Sequence, residues 1–203
     1  MRLRLFLVLV GVLIAGRPGL AGDGVVALQT AAPSCRNNSS NIYVNCGNGT
    51  VTDNRTGLVL LKNANCFGPM EFSTAFEVVA GLSDLPGSDP DDCGLSDGSS
   101  PGEWRIPSRG EWERMIDDAL GIGGDPDCRP SPPLITNDGG GGCWVNGPSS
   151  FTGIVADRYW SSTSWSGDVT QVYFVHLFDT LPRFDVGFRT AALNYLWPVR
   201  GGQ

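Results

Sequence analysis

"EWRIPSRGEWERMID", residues 103–117, joins an extended segment to an amphipathic helix. Pro107 disfavours helix at the residue before it, so a helix can begin only after this point. Ser108 and Glu111 have the Ser-x-x-Glu spacing of a capping box, which closes the first turn of a helix. Apolar residues then recur at helical spacing along one stripe: Trp112, Met115, Ile116 and Leu120. The stretch predicts a helix of about three turns, with a structural rather than a catalytic role for Glu111.

Upstream of this helix the sequence predicts two short strands and another helix. "GTVTDNRTGLVLLKN" indicates a strand on each side of a turn at 53–57, with 58–61 as a buried run. In "FSTAFEVVAGL", Ser73 is the kind of residue that caps the start of a short helix. The side chains expected to face inward from that helix are Phe76, Val79 and Ala80.

The chain from Arg158 onward is typical of β structure. "RYWSSTSW" and "NYLWPVRG" alternate in character, whereas "TQVYFVHLFD" is apolar on both faces, which indicates an interior strand. Pro198 suits a bulge or a sheet edge because proline has no N–H to donate. The Gly- and Pro-rich residues 121–150 precede these strands, and we expect them to form an ordered loop that faces a ligand.

The six cysteines predict a disulfide framework. An even number of cysteines in an exported chain indicates disulfides, with thiol redox chemistry as the alternative. A zinc site is disfavoured, because the chain has one histidine and no Cys-x-x-Cys. We favour bridges between nearest neighbours, because each adjacent pair brackets a turn-rich segment: Cys35–Cys46, Cys66–Cys93 and Cys128–Cys143. The last bridge would close a loop of about 15 residues and contribute roughly 3 kcal/mol.

Residues 1–21 have the pattern of a secretory signal peptide. Arg2 and Arg4 precede an apolar run, Leu5 to Ala15, that is too short to span a bilayer as a helix. Cleavage after Ala21 would leave 11 basic and 21 acidic residues, a net charge of −10. Such a charge disfavours nucleic acids, and it disfavours anionic membranes and polyanions unless basic side chains cluster locally. We expect a secreted, periplasmic or cell-surface protein with no membrane insertion after cleavage.

The segment "SDLPGSDPDDCGLSDGSSPG" invites comparison with a calcium-binding loop. Counted from Asp89, the EF-hand pattern finds Asp91 at its third position and Gly94 at its sixth. Cys93 and Ser100 stand where the fifth and twelfth positions require ligands, so the EF-hand is excluded. An irregular structural calcium site stays open beside the simpler interpretation of a solvated acidic loop, and no cofactor is predicted.

Four phrases, taken in order, resemble the Lcl C-terminal domain-like family, named after the C-terminal domain of a collagen-like bacterial adhesin. They are "VTDNRTGLVLLKNANCFG", "CGLSDGSSPGEWRIPSRGEWERMID", "FTGIVADRYWSSTSW" and "YLWPVRGG". The resemblance covers residues 50–203, which leaves 22–49 as a polar N-terminal segment with a disulfide loop. Trp-Arg-Ile-Pro-Ser-x-x-Glu-Trp is also similar to the Arg-Leu-Pro-Thr-x-x-Glu-Trp signature of formylglycine-generating enzymes.

These resemblances imply an α+β, C-type-lectin-like fold. In that fold two helices pack on a small, twisted, mainly antiparallel sheet with long loops, here closed by disulfides. The adhesin domain binds sulfated glycans and can trimerise, so the resemblance implies an adhesion role and leaves a homo-oligomer open. This chain departs from it in having no collagen-like repeat and in a negative charge that opposes sulfated glycans. The calcium-binding Glu-Pro-Asn and Gln-Pro-Asp triplets of many C-type lectins are absent, so calcium-dependent sugar binding is not implied.

An enzyme, a recognition module and a structural component are the three classes of function to weigh. His176 is the only histidine, and a predicted strand places it on one face with Phe174 and Phe178. A role in packing is therefore the simpler interpretation than a general base, and we predict no enzymatic activity.

We predict an exported recognition module for an extracellular glycan or protein ligand. The alternative is a structural or protein-interaction component of the cell envelope without affinity for glycans. Tryptophan rings stack on sugars, and polar groups bond their hydroxyls. The candidate ligand-binding residues are Trp165, Asp168, Arg158, Arg189, Asn194 and Trp144.

Overall fold

The computed structural model describes residues 34–84, 93–178, 181 and 183–202. The predicted signal peptide, with Asp89 and Asp91 of the calcium pattern, lies outside the described residues. The strands of the described part are β1 (Tyr43–Asn45), β2 (Thr50–Asp53), β3 (Leu58–Leu61), β4 (Pro69–Met70), β5 (Arg158–Trp165), β6 (Asp168–His176), β7 (Phe184–Phe188), β8 (Asn194–Tyr195) and β9 (Val199–Gly201). The helices are α1 (Phe72–Gly81) and α2 (Arg109–Asp117), and a 3₁₀ turn covers Trp144–Asn146.

The strands form two sheets, where the sequence led us to expect one. The first has the order β1-β2-β3-β9 and is antiparallel throughout. The second has the order β4-β8-β5-β6-β7 and is antiparallel except where β5 meets β8. Pro198 accounts for part of this division, because it lies between β8 of the second sheet and β9 of the first and has no N–H for a ladder. The α+β class with two helices is confirmed.

The predicted strands around the turn at 53–57 are β2 and β3. The Gly57 N–H closes the turn by donating to the Asp53 carbonyl oxygen at 2.8 Å. All four residues of β3 are buried, as predicted for 58–61. β1 lies within the polar N-terminal segment and pairs with β2 through Val44 and Thr52.

α2 begins as the opening stretch predicts. Both hydrogen bonds of the capping box form between Ser108 and Glu111. Arg105 also binds Glu111, at 2.6 Å between Nη2 and Oε1. Burial alone would raise the pKa of Glu111, but the hydrogen bonds from Arg105 and Ser108 lower it overall. The helix ends at Asp117, so Leu120 reaches the core from the turn that follows.

The prediction for α1 is wrong at its start and for two of its three inward-facing residues, whereas Val79 is buried as predicted. The N-cap is Glu71, without a side-chain capping bond, and Ser73 lies inside the first turn. The buried positions are Phe72, Ala75 and Val79, whereas Phe76 is 61% exposed and Ala80 is also exposed. The face that packs on the second sheet is the one that carries Phe72, whose ring lies edge-on against Trp160.

The helices pack on opposite faces of the second sheet. Phe72 and other α1 residues share a core cluster with Trp160 and Phe174, whereas Trp112 of α2 shares the larger cluster with Tyr159 and Val175. Neighbouring strand residues point to opposite faces, so the two clusters lie on opposite sides of β5 and β6. The first sheet contributes to the larger cluster. β6 lies between β5 and β7, as predicted for an interior strand.

Three disulfides join the nearest-neighbour pairs, as predicted: Cys35–Cys46, Cys66–Cys93 and Cys128–Cys143. They indicate an oxidising, extracytoplasmic environment. Among the described residues, no helix has the length and apolar character needed to cross a membrane.

The long segment 121–150 is an ordered part of the fold. Leu134 and Ile135 are completely buried, and the Leu134 N–H donates to the Leu177 carbonyl oxygen at 3.0 Å. The Asp138 carbonyl oxygen accepts from the Ile42 N–H at 2.6 Å, which ties the segment to the chain just before β1.

Candidate functional site

Three of the predicted ligand-binding residues lie together at the end of the β5–β6 hairpin. Trp165 and Asp168 are register partners across that hairpin. Arg189, which follows β7, reaches the same end and donates from Nη2 to the Ser164 hydroxyl at 2.8 Å. The Arg189 guanidinium also lies 4.7 Å from the centre of the Phe72 ring. The structure thus gathers residues from β5, β6, α1 and the segment after β7 at one place.

The polar groups at the hairpin end are bonded to one another. The Asp168 carboxylate accepts from the Thr170 hydroxyl at 2.7 Å and from the Thr170 N–H at 2.9 Å. These bonds lower the pKa of Asp168. The Trp165 ring is half-buried and lies over Gly167, where an added Cβ would come within 2.6 Å of it. These contacts stabilise the hairpin and use part of the hydrogen-bonding capacity of Asp168.

The other three predicted residues lie elsewhere. Arg158 is exposed at the opposite end of β5, opposite His176 in register. Asn194 is only 1% exposed, and its side-chain amide has no hydrogen-bond partner among the described residues. Trp144 is half-buried in the 3₁₀ turn and donates from Nε1 to the Phe151 carbonyl oxygen at 3.4 Å. The six residues do not form one site.

His176 lies between two phenyl rings on its own strand face. Its ring centre is 5.2 Å from that of Phe174 and 5.1 Å from that of Phe178. Neither ring nitrogen has a hydrogen-bond partner among the described residues. Burial lowers the pKa of His176 overall, although the charge of Asp185 opposes that shift. The neutral imidazole is therefore favoured in the folded protein.

An arginine-rich groove, which the sequence did not reveal, lies on the α2 side of the first sheet. Its volume is about 680 Å³. It is lined by Ser34, Arg36, Arg55, Thr56, Gly57, Arg114, Gly201 and Gly202. A cavity of about 10 Å³ adjoins it and shares Thr56, Arg114 and Gly202 as lining. Three of the eight lining residues are thus arginines, in a chain whose overall charge is −7.

The three groove arginines come from separate parts of the chain. Arg36 follows the first cysteine, Arg55 lies in the turn between β2 and β3, and Arg114 projects from the polar side of α2. Pairing of β3 with β9 brings the C-terminal glycines to the same place. The groove is therefore built by long-range pairing rather than by a local motif.

The charges of these arginines differ in how far they are compensated. Arg55 is paired with Asp53 at 3.2 Å and with Asp118, so its charge is balanced locally. Arg36 donates to two neutral carbonyl oxygens, of Asn54 at 2.8 Å and of Arg55 at 3.2 Å, which leaves its charge uncompensated. The Arg114 side chain has no hydrogen bond or ion pair among the described residues. The groove therefore presents two uncompensated guanidinium groups.

Sequence reasoning missed these arginines because each stands alone in its own stretch. The one local signal was that Arg114 falls on the polar side of the predicted α2 helix. Nothing in the sequence placed it near Arg36 or Arg55. In the described part of the chain, no group of three or more His, Cys, Asp or Glu side chains could hold a metal ion.

No family model, curated protein or solved structure matches the chain.

Proposed function

We propose that this protein is an exported, non-enzymatic recognition module that binds an acidic extracellular glycan or surface ligand in the arginine groove. The observation that carries the proposal is the pair of uncompensated guanidinium groups, Arg36 and Arg114, on a groove of about 680 Å³. Ligand pockets commonly have volumes of roughly 300–1,000 Å³. The site is thus large enough for a sugar unit or a short acidic segment.

Charge supports an acidic ligand at this position. The negative net charge of the chain repels polyanions, but a local cluster of basic side chains attracts acidic groups at its own position. Guanidinium groups bind carboxylate and sulfate in a bidentate geometry, and such bonds are about twice as strong as those between neutral groups. We therefore expect a ligand that carries carboxylate or sulfate groups, bound more weakly as ionic strength rises.

The proposal includes membership of the Lcl C-terminal domain-like family and a C-type-lectin-like fold. Its support is the order of the four sequence phrases, together with the two helices and the disulfide-closed loops. The adhesin that this family is named after binds sulfated glycans, which agrees with an arginine-lined groove. The packing of His176 between Phe174 and Phe178 supports a structural role for the only histidine.

The alternative is a protein-interaction or structural component of the cell envelope. Two exposed apolar side chains favour it: Val169 of β6 is 75% exposed and Phe188 of β7 is 53% exposed. They lie on neighbouring strands, near the pair formed by Gln171 and Phe188. Exposed apolar groups on adjacent strands are typical of protein contacts.

A glycan array at physiological salt, with Arg114→Gln and Arg129→Gln, tests the proposal. Arg129 pairs with Asp127 outside the groove, so its replacement changes the net charge equally without altering the groove. We expect the native protein to retain acidic glycans and Arg114→Gln to bind them roughly tenfold more weakly, as expected for the loss of one charge-assisted bond. Arg129→Gln should bind as the native protein does.

Two results would contradict the proposal. Equal losses in both variants would mean that the overall charge, and not the groove, attracts the ligand. An array on which no acidic glycan is retained would favour the protein-interaction alternative. Circular dichroism of each variant confirms that the fold is intact, which we expect because the Arg114 side chain makes no hydrogen bond within the described residues.

A further inference from the structure

Asn146 ends the 3₁₀ turn of the long loop and is followed by Gly147. The Asn146 side chain is exposed. Neither the side-chain amide of Asn146 nor the backbone N–H of Gly147 has a hydrogen bond within the described residues. We propose that Asn146 is a modification site at which water converts the asparagine to aspartate and isoaspartate through a cyclic succinimide.

The chemistry needs only the chain and water. The backbone nitrogen of Gly147 attacks Cγ of Asn146 and loses its proton to the solvent. The bond between Cγ and Nδ2 breaks, and the side-chain nitrogen takes up a proton from the solvent and leaves as ammonia. Water then adds to one of the two carbonyl carbons of the succinimide and opens the ring. Water is consumed and ammonia released in equal amounts, and no atom is oxidised or reduced.

The local structure meets the requirements of the first step. The attacking nitrogen belongs to a glycine, so no Cβ shields it from the neighbouring side chain. Gly147 has extended backbone angles, φ −160° and ψ 179°, and its N–H is not held in a helix. The exposed Asn146 side chain can also rotate its amide toward that nitrogen without breaking a hydrogen bond within the described residues. Each requirement is thus a property of the fold at this position.

The chain contains one other Asn-Gly pair, Asn48-Gly49, and there the fold opposes the reaction. The Asn48 side-chain oxygen accepts from the Thr50 hydroxyl at 2.7 Å and from the Thr50 N–H at 3.3 Å. Gly49 lies in the left-handed region at φ +82°, against the backbone of Gly94. To reach the backbone nitrogen of Gly49, the Asn48 side chain would have to give up both hydrogen bonds to Thr50. The same dipeptide is therefore reactive at one site and protected at the other.

Modification at Asn146 would change the surface of the long loop. It adds a negative charge to a chain of net charge −7. Isoaspartate also inserts a methylene into the backbone before Gly147, which packs so closely on Asn137 that an added Cβ would lie 2.4 Å from its Nδ2. That lengthening has to displace the turn that carries Trp144.

Incubation of the folded, disulfide-intact protein in heavy-oxygen water at mildly alkaline pH tests this inference. Peptide mass spectrometry follows incorporation of the label at each Asn-Gly pair. We expect Asn146 to convert roughly tenfold faster than Asn48, since each 1.4 kcal/mol of extra barrier slows a reaction tenfold. Chromatography should resolve both aspartate and isoaspartate from the Asn146 peptide, because both arise from one succinimide.

The reduced, denatured chain provides the matched control. In the denatured chain the two Asn-Gly pairs no longer differ in their structural surroundings, so we expect Asn146 and Asn48 to convert at similar rates. Asn146→Gln should abolish labelling in its peptide and leave the Asn48 peptide unchanged. Equal rates in the folded protein, or faster conversion at Asn48, would overturn the inference whether or not the arginine groove binds a ligand.

Discussion

Gly49 and Gly47 share a left-handed backbone, but only Gly49 touches a distant part of the fold. Their φ angles are +82° and +76°. A Cβ added to Gly49 would lie 2.3 Å from the carbonyl oxygen of Gly94, whereas one added to Gly47 would meet open space. The turn between β1 and β2 therefore packs backbone to backbone on the segment that follows the second disulfide.

This difference predicts unequal effects of the same substitution. Gly47→Ala should lose about 1–2 kcal/mol of unfolding free energy, because an L-residue is strained in the left-handed region. Gly49→Ala carries the same strain and must also displace the backbone of Gly94, so its loss should be larger. Urea denaturation followed by tryptophan fluorescence measures both. Equal losses would show that the close approach of the two backbones does not contribute.

The residues of the arginine groove could not be predicted from the sequence, because the neighbours of each arginine along the chain do not reveal its partners in the fold. An arginine that will meet two others after folding has the same neighbours in sequence as one on any polar surface. Arg36 and Arg129 are alike in that respect, and only the fold separates the groove residue from the surface residue. Trp165 shows the same dependence on the fold, since nothing in the sequence indicated that its ring would lie over Gly167.

Helix starts in this protein are determined in two different ways. At α2 a local capping box sets the start, because Ser108 and Glu111 satisfy the free N–H groups of the first turn. At α1 no side chain caps the helix. Its start is set by tertiary contacts of Phe72, whose N–H donates to the Arg189 carbonyl oxygen at 3.0 Å.

This difference between the two helices predicts that Ser108 contributes more to the free energy of unfolding than Ser73 does. Ser108→Ala should reduce the unfolding free energy by about 1 kcal/mol, as expected for loss of an N-cap. Ser73→Ala serves as the matched control, because Ser73 is exposed in the first turn of α1 and caps nothing. Its effect should stay within about 0.5 kcal/mol, the usual range for surface substitutions. Thermal and urea unfolding measure both changes, and a loss at Ser73 as large as that at Ser108 would contradict the assignment of the caps.

The strands were predicted best where both faces of a segment are buried. β6 was identified from its apolar character on both faces, and it lies between two strands. β7 was not identified, because this edge strand is only partly buried and contains Asp185 and Gly187. β1, too, was not recognised in its polar disulfide loop. Edge strands depend on their partners for pairing, so their own sequence carries a weaker signal.

At the scale of the whole molecule, a buried ion pair joins β9 to the segment before α2. Arg200 binds Asp97 at 2.9 Å, and both residues are buried. The Ser99 hydroxyl donates to the same carboxylate at 2.6 Å and accepts from the Trp104 indole N–H at 3.0 Å. The Arg200 guanidinium lies 5.4 Å from the centre of the Trp104 ring. Residues more than ninety positions apart are thus held in one network.

Asp97→Asn should therefore destabilise the whole fold. Removing one partner of a buried ion pair leaves the other charge uncompensated, which typically costs about 3–5 kcal/mol. Asp127→Asn is the control, since it removes one partner of the exposed pair with Arg129 and should change the stability little. Chemical denaturation of both variants is the measurement. A small effect at Asp97 would mean that the pair contributes little beyond what an uncharged residue provides.

The sequence by itself determined what depends on near neighbours: the capping box and buried stripe of α2, the turn between β2 and β3, and the interior strand β6. It also indicated the disulfide pairing, because each bridge closes a short stretch of chain. Only the tertiary structure decided what depends on distant contacts: the split into two sheets, the start of α1 and the arginine groove. The physical reason is the distance in sequence between the residues that interact. Hydrogen bonds and apolar spacing within one element involve residues a few positions apart, so its own sequence predicts them. The joint position of three arginines exists only once strand pairing and helix packing have brought them together.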